Sequence, residues 1–381
     1  MGNQSYKNIS FPDSKNENWR YFNLQDLKIK LNQIKSSDSI RSIFYDHEME
    51  SHFKIDDKGI FVNKNLPEGV SIDIVSSKDL KLLDNKIKKN IGEIAEINND
   101  YFVSENTQMF NELIIIKIKE NCNIKSDLKF NINISQNIKL RPRFFIYAEK
   151  KSSSSIEINW NNNFCNINSV FEVYLNNKAQ LDFIITNNGQ DSIDIFNYSF
   201  HIERESNLKT TFVSLGDQVL KNDIRINLIG KEAIADIGGL YIANPKSIID
   251  YNIKMNHLSK KTSSKQFFKG ILNKNSKASF TGLVKIEKDC RDCKSEQINN
   301  NLLLSEKAQI NSDPQLEIYC NDVECSHGST VGQFDEDILF YLRSRGISKE
   351  YAKKMLLEAF YMDILKRIDN PRIQSIIEQA I

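Results

Sequence analysis

The sequence predicts a mainly β chain whose centre is a stacked solenoid. Three observations predict it. Between residues 112 and 319, short runs alternate apolar and polar side chains over five to seven positions, the period of a strand. Almost no helical stretch interrupts these runs, which argues against strand–helix–strand units. Several runs are introduced by a small residue after a polar one, as in "NNKAQLDF", "GKEAIADI", "NSKASFTG" and "SEKAQINS". A sandwich or jelly roll accounts for a handful of strands. Thirteen or more with weak internal similarity fit a coil of repeated turns better.

The chain begins with mixed elements. "WRYFNLQDLKIKLNQI" (19–34) reads as a helix, and "GIFVNKNLPEGVSIDIV" (59–75) as two short strands around a turn at Pro67 to Gly69. "SSKDLKLLDNKIKKNI" (76–91) reads as a second helix, with Leu80, Leu83 and Ile87 at helical spacing and Ser76 or Ser77 as cap. Residues 1–95 are therefore expected as a mixed N-terminal region and 96–333 as the solenoid core.

From Asp335 the texture turns helical, giving a C-terminal helical domain over 334–381. Asp335 to Asp337 suit the positive end of a first helix carrying Ile338, Leu339 and Leu342, and Gly346 suits its stop. Ser348 caps a second helix in which Met355, Leu356, Ala359, Phe360, Met362 and Ile364 cover a wide apolar face. Asn370 and Pro371 open a third, with Ile373, Ile376, Ile377 and Ala380. These faces either pack on the end of the solenoid or also dock a partner.

Bulk properties exclude several functions. The chain has 381 residues, 27% of them charged, and a net charge of +1, so no strong electrostatic footprint favours nucleic acid or an anionic membrane. No run is long and apolar enough to span a bilayer. The polar N-terminus shows no secretory signal, and Tyr6 spoils the myristoylation context of Gly2. Six cysteines in such a chain point to reduced thiols in a cytosol-like compartment. "LIGKEA" (228–233) lacks the first glycine and the hydroxyl of a phosphate-binding loop, so no nucleotide is expected on this chain.

Two cysteine motifs remain. Cys290 and Cys293 form a C-x-x-C with no second pair at zinc spacing, and are read as two thiols in a loop between turns. In "NDVECSHG" (321–328), an extended chain puts Val323, Cys325 and His327 on one face. Burial is the ordinary fate of both side chains. The alternatives are half of a shared metal site, or a nucleophile with its base, for which no orienting group or oxyanion site is identifiable.

These residues carry a resemblance. "PQLEIYCNDVECSHGSTVGQFDEDILFYLRSRGI" (314–347) resembles the signature of the SufB/SufD family of SUF iron–sulfur cluster assembly proteins, in its SufD wording rather than its SufB wording. "SSKQFFKGIL" (263–272), "SFTGLVKI" (279–286), "QINNNLLLSEKAQI" (297–310), "ENWRYFNL" (17–24) and "NKNLPEGVSI" (63–72) follow the family's order and spacing. The match spans nearly the whole chain, strongest after about Tyr251. It departs at Cys320–Asn321, Glu324 and Ser329 and assigns nothing to Cys290 and Cys293.

The resemblance implies a right-handed parallel β-helix with helices at both ends and a non-catalytic scaffold role. It implies pairing with a SufB paralogue through the β-helix edge, or a homodimer in isolation. It further implies docking of the ATPase SufC on the C-terminal helices, through Phe340, Leu342, Arg343, Arg345, Gly346, Met355, Ala359 and Phe360. An iron–sulfur cluster would form transiently at the shared interface, with His327 as ligand and Cys325 beside it, in the cytoplasm or a plastid stroma. The rivals are a SufB-like paralogue forming a homodimeric scaffold, and a carbohydrate-active β-helix enzyme.

Overall fold

A computed structural model describes residues 9–13, 15–36, 42–80, 83, 85–95, 100–368 and 370–380. The Gly2 context lies outside the described residues. The fold is mainly β, 52% strand and 18% helix, with a solenoid of about eight turns and helices toward both termini.

The N-terminal elements are a 3-10 turn at Glu17–Trp19, α1 (Leu24–Gln33), β1 (Lys35–Ser36), β2 (Ile43–Asp46), β3 (Phe53–Asp56), β4 (Gly59–Asn63), β5 (Val70–Ser76), α2 (Asn85–Asn90) and α3 (Tyr101–Met109). The first helix starts later than expected because Asn23 caps it, its side chain accepting from Asp26 N. Of the helix expected over 76–91, only Asn85–Asn90 is α-helical among the described residues. Ser76 instead closes β5, and its hydroxyl accepts from Lys78 N. The sequence reading missed α3, whose polar "SENTQ" hides a buried face. Asn106 and Thr107 are buried there because both meet Arg143.

The solenoid follows as β6 (Glu112–Ile118), β7 (Asn123–Ile134), β8 (Ile138–Leu140), β9 (Arg143–Ala148), β10 (Ser153–Asn162), β11 (Asn166–Leu175), β12 (Gln180–Ile202) and β13 (Asn207–Leu228). It continues through β14 (Ile234–Ala243), β15 (Ile248–His257), β16 (Ser263–Leu272), β17 (Lys277–Ile286), β18 (Cys293–Leu303), β19 (Gln309–Ile318) and β20 (Val323–Gly332). All turn-to-turn pairing is parallel and falls into two ladders. One runs β7–β10–β12–β13–β14–β16–β18–β20. The other runs β6–β9–β11–β12–β13–β15–β17–β19. β12 bends between Gln190 and Ile193 and serves both ladders, as β13 does. Side chains of adjacent turns meet at spacings of 27 to 29 residues early on and 29 to 31 later.

One corner explains part of the repeated small residue. Lys151, Lys178, Glu205, Glu232, Lys261 and Asp292 all take positive φ. Each donates its N–H to a carbonyl of the next turn, from Lys151 N to Asn177 O through to Asp292 N to Asp322 O. The residues that follow, Ser152, Ala179, Ser206, Ala233, Thr262 and Cys293, are buried one above another. A left-handed corner is uncommon for side chains other than glycine, and its recurrence marks it as the device that turns the chain. Ala308 belongs to the opposite corner, and Ala278 lies within β17, so the similar-looking runs are not all one feature.

The interior carries a column of aromatic rings, with Phe144 stacked on Phe171, Phe171 on Tyr198, and Phe212, Tyr251, Phe268 and Phe280 continuing it. The outer faces are covered as well. Ile184, Val213, Leu240, Ile242 and Ile271 pack under α5 (Lys349–Leu365) and α6 (Pro371–Ala380). Ile193 and Ile195 pack under Trp19, Leu27 and Leu31. Burial on both faces is why β9, "RFFIYA", is buried throughout and shows no alternation. The C-terminal helices thus lie along the side of the solenoid rather than on its end as expected. Their bolts are Lys269 to Asp363 at 2.9 Å, Arg367 to Asp236 at 2.9 Å and Asn370 to Glu157 at 2.7 Å.

Candidate functional site

The two ends of the solenoid differ. At the first turn, β7 pairs outward with β3 of the β3–β4 hairpin, and β6 with β5. At the last, β19 pairs only with β17 and β20 only with β18 among the described residues. Their outer backbone edges face open space, and Ile318, Tyr319 and Val331 are exposed beside them.

β20 carries the thiol–imidazole pair. Its register on β18 sets Cys325 against Ser295 and His327 against Gln297. Both side chains share one face, as the alternation predicts, and the register on Ser295 and Gln297 makes it the inner one. Cys325 is half-buried against the core, and burial, with Cys293 nearby, pushes its thiol pKa up. His327 is exposed, so it is not the buried histidine of the bland reading. A Cβ added at Gly328 would meet nothing within 4 Å. Packing within this chain does not require a glycine there.

The interior beneath the pair is polar where earlier turns are aromatic. His257 bonds Thr262 through Nδ1 at 2.7 Å and Ser264 through Nε2 at 2.8 Å, and Ser264 meets Ser295 at 2.8 Å. Cys325 is the next member of that column. Burial lowers the His257 pKa to about 4, so the ring is neutral. Beside it, Ser329 bonds Ser312, Ser312 bonds Asn299, and Asn299 bonds Tyr241. Sequence reading missed this column. Its signal was the turn spacing, which aligns Ser264, Ser295 and Cys325 although nothing local links them.

Cys290 and Cys293 are both buried, as two thiols between turns should be. Cys293 fills the small-residue corner, with Sγ 3.1 Å from Thr262 Oγ1. Burial, then Cys293 and Cys320, push the Cys290 thiol pKa up. No group of three or more His, Cys, Asp or Glu side chains stands ready to hold a metal ion among the described residues. Cys325 and His327 offer two donors and leave the rest of a coordination sphere to another source.

Three residues after β20, the side chain of Asp335 caps α4 (Glu336–Ser344), accepting from Asp337 N and Ile338 N. Ser348 caps α5 by accepting from Tyr351 N, and Asn370 caps α6 by accepting from Arg372 N. Gly346 has φ +87°, which lets the chain reverse between α4 and α5. α4 packs on α5. Of the expected docking residues, Phe340 is 72% exposed, and Arg343, Arg345, Gly346, Met355 and Ala359 are exposed too. Leu342 is half-buried. Phe360 turns toward the solenoid, with Lys269 Nζ 5.0 Å over its ring. α5 instead buries Ala352, Leu357, Tyr361, Ile364 and Leu365. Ile338, Tyr341, Tyr351 and Met362 join Phe340 and Met355 on the outside.

Fold and site together define a class: a parallel β-solenoid closed at one end and open at the other, with a thiol and an imidazole on the open turn and a helical tail strapped along its side. Residues 130–360, more than half of the chain, match the family model described as SUF system FeS cluster assembly, SufBD core domain. The chain belongs to the SufBD family of iron–sulfur cluster assembly proteins. It is 24% identical to an iron–sulfur cluster assembly SufBD family protein of Synechocystis, over 98% of this chain and 87% of that one. It is 34% identical to the iron–sulfur cluster assembly protein SufD of Escherichia coli, over 40% of this chain and 36% of that one. With the chloroplastic protein ABCI7 of Arabidopsis thaliana it shares 24% identity over 81% of this chain and 68% of the other. No helix among the described residues is long and apolar enough to cross a membrane.

Proposed function

We propose that this chain is a SufD-type scaffold subunit, without catalytic chemistry of its own, on which an iron–sulfur cluster is assembled. The open edges of β19 and β20 pair with a SufB-type paralogue. The cluster is cargo, held at that junction by His327, with Cys325 beside it and the remaining donors supplied by the partner. One observation carries the reading: the two donors sit on the solenoid's last strand, whose outer edge has no strand partner among the described residues and where a second chain would bring the rest.

The outer face of α4 and the first half of α5 docks the SufC ATPase. Its apolar side chains are exposed, and exposed apolar surface of this kind marks interaction sites. α4 follows β20 after three residues, so a pull on the helical hairpin reaches the strand that carries His327. Nucleotide is bound by that partner and not by this chain, and the complex works in a cytosol-like compartment.

The test is co-expression with both partners, followed by iron–sulfur reconstitution. His327→Ala should leave the three-protein complex assembled and lower the cluster yield, read from absorbance and from bound iron and sulfide. An unchanged yield refutes the ligand role, and loss of the complex refutes the separation of docking from assembly.

A further inference from the structure

A second, unrelated site lies on the other ladder. The outer faces of β12, β13 and β15 form a polar trough, and the segment around Glu17–Trp19, together with α3, roofs it. Beneath this roof is a cavity of about 380 Å³, joined through Asn18, Asn252 and Lys254 to a neighbour of about 240 Å³. The roof is held down at Lys221, whose ammonium donates to Asn18 O at 3.0 Å and lies 4.8 Å from the Trp19 ring.

Charges of both signs lie inside. Lys221 meets Asp250 at 2.6 Å and Asp223 at 3.2 Å, and Asp100 lines the same cavity. Arg225 and Lys254 line it too, so the three carboxylates stand among three cations. Asp223 uses Oδ1 for Lys221 and for Asn252, at 2.9 Å, while its buried Oδ2 has no partner. Asn197, 6% exposed and paired in register with Asp223, has no partner for its Nδ2. Lys254, half-buried on the same wall, makes no ion pair among the described residues. The cavity therefore presents an open acceptor, an open donor and a free cation along one wall. Burying such groups without partners is unfavourable, and a matching ligand removes that cost.

We propose that this cavity binds a small zwitterion, an α-amino acid, with its ammonium on Asp223 and its carboxylate on Asn197 and Lys254. Asp100 stands as a second acceptor beside the ammonium. Burial and the charge of Asp223 raise its pKa to about 6, a repulsion that a bound cation relieves. Donors of both signs on one wall suit an organic zwitterion better than a bare ion. The proposed contacts lie on β12, β13 and β15, apart from His327 and the C-terminal helices, while the neighbouring cavity reaches Gln315 and Glu317 of β19.

The test is saturation-transfer NMR on the full chain with the common amino acids taken singly, and with ethylamine and propionate as half-ligands. Transfer is expected to at least one amino acid and to neither half-ligand. It should be lost in Lys254→Gln and in Asp223→Asn. If Asp223→Asn unfolds through its link to Lys221, Lys254→Gln, outside that ion pair, decides alone. No transfer to any amino acid, equal transfer to a half-ligand, or transfer unchanged in Lys254→Gln overturns the proposal.

Discussion

Arg143 and Glu172 form a fully buried ion pair, with Nη2 2.8 Å from Oε2 and neither side chain exposed. The pair does more than neutralise itself. Glu172 Oε1 accepts from Gly92 N at 2.6 Å and Ala95 N at 3.3 Å, while Arg143 Nη1 donates to Asn106 and Thr107 of α3. Two strands of the solenoid thereby hold the N-terminal cover in place. Arg143→Met should cost about 3–5 kcal/mol, because it leaves a carboxylate buried and alone. Urea unfolding measures this. A smaller loss in the double variant with Glu172→Met would show that the penalty comes from the orphaned charge.

Asp194 makes stability depend on pH. Burial, only partly offset by Ser192, Asn162 and Asn187, raises its pKa from the ordinary 3.8 to about 7. The folded chain therefore holds a proton that the unfolded chain has lost. The stabilisation from this group is full below the unfolded value and fades as pH rises through about 7, by a few kcal/mol in order of magnitude. Asp194→Asn should flatten that slope and raise the melting temperature at pH 8. An unchanged slope between pH 4 and 8 would remove Asp194 from the account.

Gly328 separates folding from pairing. Open space surrounds it, so Gly328→Val should change the stability of the isolated chain by no more than about 0.5 kcal/mol. In the paired state the same side chain would stand beside His327 at the junction. Co-purification with the paralogue should fall while the melting temperature holds.

The outer and inner faces of the α4–α5 hairpin should behave oppositely. Phe340→Asp with Met355→Asp alters exposed positions, so it should spare stability and abolish retention of the ATPase in a pull-down. Leu357→Ala, beneath the helix, should cost about 2–5 kcal/mol. Normal ATPase retention by the first variant would refute docking on that face.

Cysteine accessibility checks the placement of the thiols. Cys165 and Cys293 are fully buried, whereas Cys122, Cys320 and Cys325 are half-buried. Alkylation of the native chain, read by peptide mass spectrometry, should label the second group first. Early labelling of Cys293 would contradict its place in the corner column.

Local order was legible where one short segment decides it. The caps of α5 and α6 at Ser348 and Asn370 stand as read, and Asp335, read only as suiting the positive end of its helix, caps α4, because a capping side chain bonds backbone only two or three residues away. The strand runs stand as well, most of them on their own alternation, while "RFFIYA" is buried on both faces. The helix at Tyr101–Met109 escaped notice because Asn106 and Thr107 are buried by a distant arginine, which no local pattern announces.

By itself the sequence determined the solenoid texture, the helical tail and, through the long match after Tyr251, the family. The tertiary structure decided which side chains meet across turns. It put Cys325 above Ser295 and Ser264, left His327 on an open edge, and turned Phe360 inward while Phe340 faces out. The physical reason is the length of a turn. Neighbours in the solenoid are 26 to 32 residues apart along the chain, so contacts, burial and charge balance depend on register between turns.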